Sequence, residues 1–112
     1  MIIHSYTSSG GKDYILDYIR GLLRDEKIDG FSVLEELEND HLDSLVVKPW
    51  RGKVWEVYFR KHNRIFYITV DRQNVYLLHA CKKQKNKTEK KDENVIIKRA
   101  KDLEKVLHKR FL

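Results

Sequence analysis

One cysteine, Cys81, and one proline, Pro49, stand in 112 residues. A single thiol cannot form a disulfide within the chain, which excludes a disulfide scaffold and fits a reducing compartment. With one proline and five glycines there is no proline- or glycine-rich linker to mark a domain boundary, and no internal repeat is present. Long apolar runs are missing too. None reaches the length of a signal-peptide core or a membrane span, and Met1-Ile2-Ile3-His4 leads straight into polar residues. The expectation is a cytoplasmic protein without a membrane anchor, built as one domain over residues 1–112 around one core.

What the chain has in quantity is charge. Hydrophobic residues make up 41% and charged residues 36%, with a net charge of +6. The two signs are separated along the chain. Residues 1–47 carry 4 Lys and Arg against 10 Asp and Glu, a net −6, whereas residues 48–112 carry 19 against 7, a net +12. The most informative stretch lies in the basic part. An apolar run, Val75 to Cys81, passes directly into Lys82-Lys83-Gln84-Lys85-Asn86-Lys87-Thr88. A strand that ends in cations holds them on a rigid platform, which suits a polyanion such as an RNA backbone. Most charge runs are solvated loops; the placement of this one between a strand and a helix favours binding.

Periodicity orders the elements. Ile2 to Tyr6 reads as a short strand, and Ser8-Ser9-Gly10-Gly11 as a turn whose serines can cap the following helix. Ile15, Tyr18, Ile19, Leu22 and Leu23 recur at helical spacing, which predicts a helix over 12–26. Gly30 is expected to break it and Ser32 to cap a second, shorter helix. From Leu45 onward the period is that of strands. Trp55, Val57 and Phe59 alternate with Glu56, Tyr58 and Arg60, which places Trp55 in the core and Arg60 on the face of Tyr58. His62-Asn63 marks a turn, Ile65 to Val70 a strand, 71–74 a turn and Val75 to Cys81 another strand, giving an antiparallel meander. Ile96, Ala100, Leu103, Leu107 and Phe111 then form a helical stripe. The fold class is α+β: a small antiparallel sheet, from the N-terminal strand and the C-terminal strand meander, packed against two N-terminal helices and a C-terminal helix.

Several short motifs agree in order and spacing with a known family. Trp55-Glu56-Val57, Asn63-Arg64-Ile65-Phe66-Tyr67, Leu77-Leu78-His79, and the spaced Lys83 and Lys87-Thr88 resemble the phage-derived branch of the RelE/HigB toxins. The resemblance runs from the first helix to about Ala100. It implies a RelE-like fold and a toxin of a type II toxin-antitoxin system that cleaves mRNA on the translating ribosome. It also implies a helix-turn-helix, HigA-like antitoxin as partner. The chain departs from the family pattern at four places. Tyr58 stands where an Arg is common, Cys81 where an aromatic is usual, Gln84 in place of the second Lys of a Lys-Lys pair, and Glu89 in place of a Pro. The displaced arginine role is expected at Arg60.

Cleavage of this kind uses the 2′-hydroxyl of the RNA as nucleophile, so no metal and no cofactor is needed. The protein has to assist deprotonation, protonate the leaving 5′-oxygen and stabilise the phosphorane. Arg60 and Arg64, on either side of a short turn, are expected to converge on one phosphate. His79 is the group whose type titrates near neutrality and is a candidate acid or base, although a strand-end histidine more often packs or bonds to backbone. Lys83, Lys85 and Lys87 are alternative proton-transfer groups, since crowded like charges disfavour the charged form. The catalytic candidates are therefore Arg60, Arg64, His79, Lys83 and Lys87. Lys48, Arg51, Lys53, Lys82 and Lys85 are candidates for RNA contact, and Tyr58 for base stacking.

Other chemistries find little support. The five histidines show no paired ligand spacing, no Gly-rich phosphate loop precedes a Lys-Ser/Thr, and Cys81 has no hint of activation, so a packed thiol is expected. Two further readings stay open: a noncatalytic basic nucleic-acid-binding module, and a protein-interaction module whose basic face meets an acidic partner.

Overall fold

The computed structural model describes residues 1–83 and 87–112. Strand β1 (Ile2–Ser5) is followed by helices α1 (Tyr14–Arg20) and α2 (Arg24–Glu38) and a short 3-10 turn, Leu42–Ser44. Four strands follow, β2 (Val46–Arg51), β3 (Val54–Phe59), β4 (Asn63–Thr69) and β5 (Asn74–Lys82), and then helix α3 (Lys90–Leu107). The sheet order is β1-β5-β4-β3-β2. Strands β2 to β5 form an antiparallel meander, and β1 joins its far edge parallel to β5. This is the expected α+β, RelE-like architecture, with β2 as one more meander strand than the sequence pattern marked.

Both faces of the sheet are covered. Helices α1 and α2 lay Ile15, Ile19, Val33 and Leu37 against Val57, Phe59, Ile65, Tyr67 and Leu77. On the opposite face, Ile96 and Ala100 of α3 meet Val54, Phe66, Ile68, Leu78 and Cys81. The predicted stripe of α3 therefore packs on the sheet. Phe111 belongs to it in space although the helix ends before it, with His108 in a left-handed conformation; the chain then folds back so that Phe111 is 3% exposed.

The helix boundaries differ from the sequence pattern, for local reasons. Asp13, rather than a serine, caps α1: its Oδ1 accepts the N–H groups of Ile15 and Leu16, while Ser8 Oγ accepts the Lys12 N–H within the turn. The break falls at Gly21 to Leu23, not at Gly30. Gly30 lies buried inside α2, where a Cβ would sit 3.0 Å from Ile19 and 3.2 Å from Phe59. It is a point of close approach between α2, α1 and the sheet, which outweighs its low helix propensity.

Trp55 is also placed differently. It shares the strand face of Val57 and Phe59 but lies beyond the cover of the helices and is 38% exposed. Glu56, on the alternate face expected to meet water, is 1% exposed, because α3 packs on that face and Lys83 lies against the carboxylate.

Candidate active site: a basic cleft over a buried carboxylate

On the α3 side of the sheet, strand pairing sets two rows of side chains. Lys48, Glu56, Phe66 and His79 are aligned across β2 to β5, and Val46, Tyr58, Arg64 and Cys81 form the next row. Phe66 pairs with His79 and Tyr67 with Leu77, so Leu78 is an extra residue in β5. This bulge keeps Leu78 and His79 both towards α3.

Glu56 is the centre of the arrangement. Its Oε1 lies 3.4 Å from Lys83 Nζ and 3.4 Å from Arg64 Nε. Lys83 is 5% exposed, held where β5 ends by its backbone N–H donating to the His62 carbonyl. The Arg64 guanidinium also lies over the Tyr58 ring, 3.7 Å from its centroid. Burial, and next the Glu56 carboxylate, push the Tyr58 hydroxyl up to about 12. A buried carboxylate between two cations is stabilised by geometry that would be costly to leave half-made. Sequence reading passed over Glu56 because alternation put it on an exposed face.

Above this base opens a cleft of about 260 Å³ lined by Lys48, Pro49, Trp50, Arg51, Glu56, Lys83, Lys87, Thr88 and Glu93. Its wall is fixed by Trp50, which packs edge-on against Phe66 and donates from Nε1 to Thr88 Oγ1 at 3.0 Å. Arg51 lies 5.2 Å from the Trp50 ring and bonds Glu93 Oε1 at 3.2 Å. Four cations thus meet two carboxylates around one opening. A second depression, lined by Arg51, Lys87, Glu89, Lys90 and Glu93, adjoins it.

Of the residues singled out from the sequence, Lys48, Arg51, Lys83 and Lys87 line this cleft, with Arg64 and Tyr58 beneath it. Arg60 does not converge with Arg64. The chain leaves β3 at Phe59, and Lys61 and His62 adopt left-handed conformations with φ of 60° and 69°. Strand alternation ends there, and Arg60 turns to α2, where Nε bonds Asp29 at 2.8 Å and Nη1 lies 3.6 Å from Asp25. Lys82 points the same way and bonds Glu26 at 2.7 Å. Together with Asn63 Nδ2, it holds the Glu26 carboxyl below its ordinary value. Lys53 is exposed in the β2–β3 turn and lies outside the cleft lining. Lys85, with Gln84, lies outside the described residues.

His79 faces α3. Its Nε2 is 2.8 Å from Asp92 Oδ1 and its ring stacks on Phe66. Burial lowers its pKa below the usual histidine value, against the opposing pull of Asp92. Cys81 is 8% exposed, and burial pushes its thiol up to about 12, as a packed thiol should behave. Among the described residues, no helix is long and apolar enough to cross a membrane.

A small α+β domain with a basic cleft over a buried ion cluster is the class that fold and site define. Residues 17–101 match the model of the family described as phage derived protein Gp49-like (DUF891), and the chain belongs to that family. The family is associated with toxin-antitoxin toxins of the RelE/HigB type. No curated protein matches the chain.

Proposed function

We propose that this protein is the toxin of a type II toxin-antitoxin pair and that its cleft cleaves mRNA on the translating ribosome, without a metal ion. The observation that carries the reading is the convergence of Lys48, Arg51, Lys83 and Lys87 on one opening whose floor is Glu56. Four cations around one cleft suit a phosphodiester. A carboxylate beside two of the elements that line it supplies the acceptor for the 2′-hydroxyl proton.

In this reading Glu56 takes the 2′-hydroxyl proton, and the freed oxygen attacks the adjacent phosphorus. Lys83, already bonded to Glu56, stabilises the charge that develops on the phosphorane. Lys87 is exposed at the rim and protonates the departing 5′-oxygen, leaving a 2′,3′-cyclic phosphate. Arg64 acts through Glu56, holding the carboxylate in place while stacked on Tyr58. It is a positioning residue. The toxin role implies an antitoxin, for which a small HigA-like helix-turn-helix protein is the expected partner.

The test is induced expression in a bacterial host with growth and transcript integrity followed together. Wild-type chain should arrest growth with cut mRNA, and Lys83→Met and Lys87→Ala should relieve both. Intact transcripts with salt-sensitive RNA binding would assign the cleft to a noncatalytic nucleic-acid-binding module instead.

A further inference from the structure

Beside the cleft, on the same sheet face, the fold brings Asp92 of α3 to two side chains of β5, His79 and Cys81. A ring nitrogen of His79, Cys81 Sγ and one carboxylate oxygen of Asp92 all lie within 4.8 Å of one another. Two structural devices bring them there. His79 and Cys81, two residues apart in the unbroken register of β5 beyond the bulge, share one strand face by ordinary alternation, and α3 delivers Asp92 from its first turn. None of the three is open surface: the side chains of His79 and Asp92 are 16% and 14% exposed, and Cys81 is buried.

We propose that His79, Cys81 and Asp92 form a binding site for a divalent ion of the zinc class, which clamps α3 to β5. The donor set is one nitrogen, one sulfur and one oxygen. That mixture suits zinc or cobalt, whereas magnesium and calcium prefer all-oxygen shells. Bond lengths of about 2.0–2.3 Å in a tetrahedron place ligand atoms roughly 3.3–3.8 Å apart, so an ion would draw in any pair near the 4.8 Å limit by about 1 Å and open the 2.8 Å His79–Asp92 contact by roughly half an ångström. Three protein ligands leave the fourth position to water.

Charge also balances. A thiolate and a carboxylate neutralise a divalent ion, so Arg64, the strand neighbour of Cys81, and Arg99 near His79 face a locally neutral centre. On binding, the sulfur–metal bond replaces the S–H bond, the thiol proton passes to solvent, and the ion takes over the His79–Asp92 hydrogen bond. Glu93, next to Asp92, lines the cleft, so the clamp also fixes that wall.

Cobalt titration of untagged, reduced protein tests this without passing through RNA, so its failure is separate from failure of the nuclease reading. Cys81 is the only thiol, and a cobalt–thiolate absorption band in the near ultraviolet therefore reports this residue alone. The expected result is a saturable band at one ion per chain, displaced by zinc and lost in Cys81→Ser. Affinity should fall at least tenfold in Asp92→Asn and in His79→Gln. Zinc, but not magnesium, should raise the melting temperature of the wild type and leave that of Cys81→Ser unmoved. Absence of the band in folded wild-type protein would overturn the proposal, as would unchanged cobalt affinity in Asp92→Asn, the variant to rely on should His79→Gln not fold.

Discussion

At the scale of single residues, the candidate site is organised by Glu56, and this gives it a distinctive response to mutation. Lys83→Met removes one of the two cations within 3.4 Å of a carboxylate that is 1% exposed. The substitution should cost about 10²- to 10³-fold in cleavage rate, as expected for one lost electrostatic contact in a preorganised site. It should also destabilise the fold by about 1–3 kcal/mol, because it leaves a buried charge less well paired. Glu56→Gln should lose a comparable amount of activity while keeping the volume of the side chain. Kinetics alongside urea denaturation checks both, and an active Glu56→Gln protein would remove Glu56 from the mechanism. On the other face of the sheet, Glu26 predicts a pH effect. Its folded pKa is lowered by Lys82 and Asn63, so its contribution to stability is present above its ordinary value of 4.5 and is lost as pH falls through the folded value. Wild-type stability should therefore decline on acidification more steeply than that of Glu26→Gln, as read by denaturant midpoints from pH 6 down to pH 3.

At the scale of elements, two glycines mark where segments touch. An alanine at position 30 would gain helix propensity of up to about 1 kcal/mol but push its methyl against Ile19 and Phe59. Overpacking of that kind costs typically 1–3 kcal/mol, so Gly30→Ala should lower the melting temperature. Gly52 has φ of +55°, and an added Cβ would clash with the Phe111 carbonyl and the Leu112 backbone. That carbonyl accepts the Lys53 N–H at 2.6 Å, and Glu104 Oε2 accepts the N–H groups of Phe111 and Leu112. Gly52→Ala should therefore detach the C-terminal residues from the β2–β3 turn. Faster hydrogen exchange at Lys53, Phe111 and Leu112 would show this; unchanged exchange would mean that the turn absorbs the methyl group.

These elements also show what a sequence can and cannot disclose. Strands β3 to β5 were legible because alternation and turn residues are local signals, and the hydrophobic stripe of α3 gave its inward face for the same reason. Gly30 was misread as a breaker because its cause, the approach of Ile19 and Phe59, is a tertiary contact. The burial of Glu56 and exposure of Trp55 were hidden likewise, since only the assembled fold reveals how far each layer of helices reaches. For the cleft, sequence singled out Lys48, Arg51, Lys83 and Lys87 but grouped Arg60 with Arg64. Two left-handed residues in the β3–β4 turn end the alternation on which that grouping depended. His79 and Cys81 share a strand face by simple alternation, but the arrival of Asp92 beside them rests on the docking of α3, which no spacing rule announces.

At the scale of the whole molecule, the charge asymmetry of the sequence is largely resolved into two faces. Asp25, Glu26 and Asp29 of α2 engage Arg60 and Lys82 on one side of the sheet, while Lys48, Arg51, Lys83 and Lys87 surround the cleft on the other. Single-stranded RNA binding should accordingly be salt-dependent. If all four cleft cations meet phosphates, the logarithm of the binding constant should fall with that of salt concentration at a slope of about −3, and Lys87→Ala should reduce the slope by about 0.7. The most direct measurement is end-mapping of a defined mRNA in a reconstituted translation reaction, with and without ribosomes. The account predicts fragments ending in 2′,3′-cyclic phosphate that appear only while the message is translated and disappear with Glu56→Gln or Lys83→Met. Intact message with folded wild-type protein, or undiminished cutting by both variants, would contradict it.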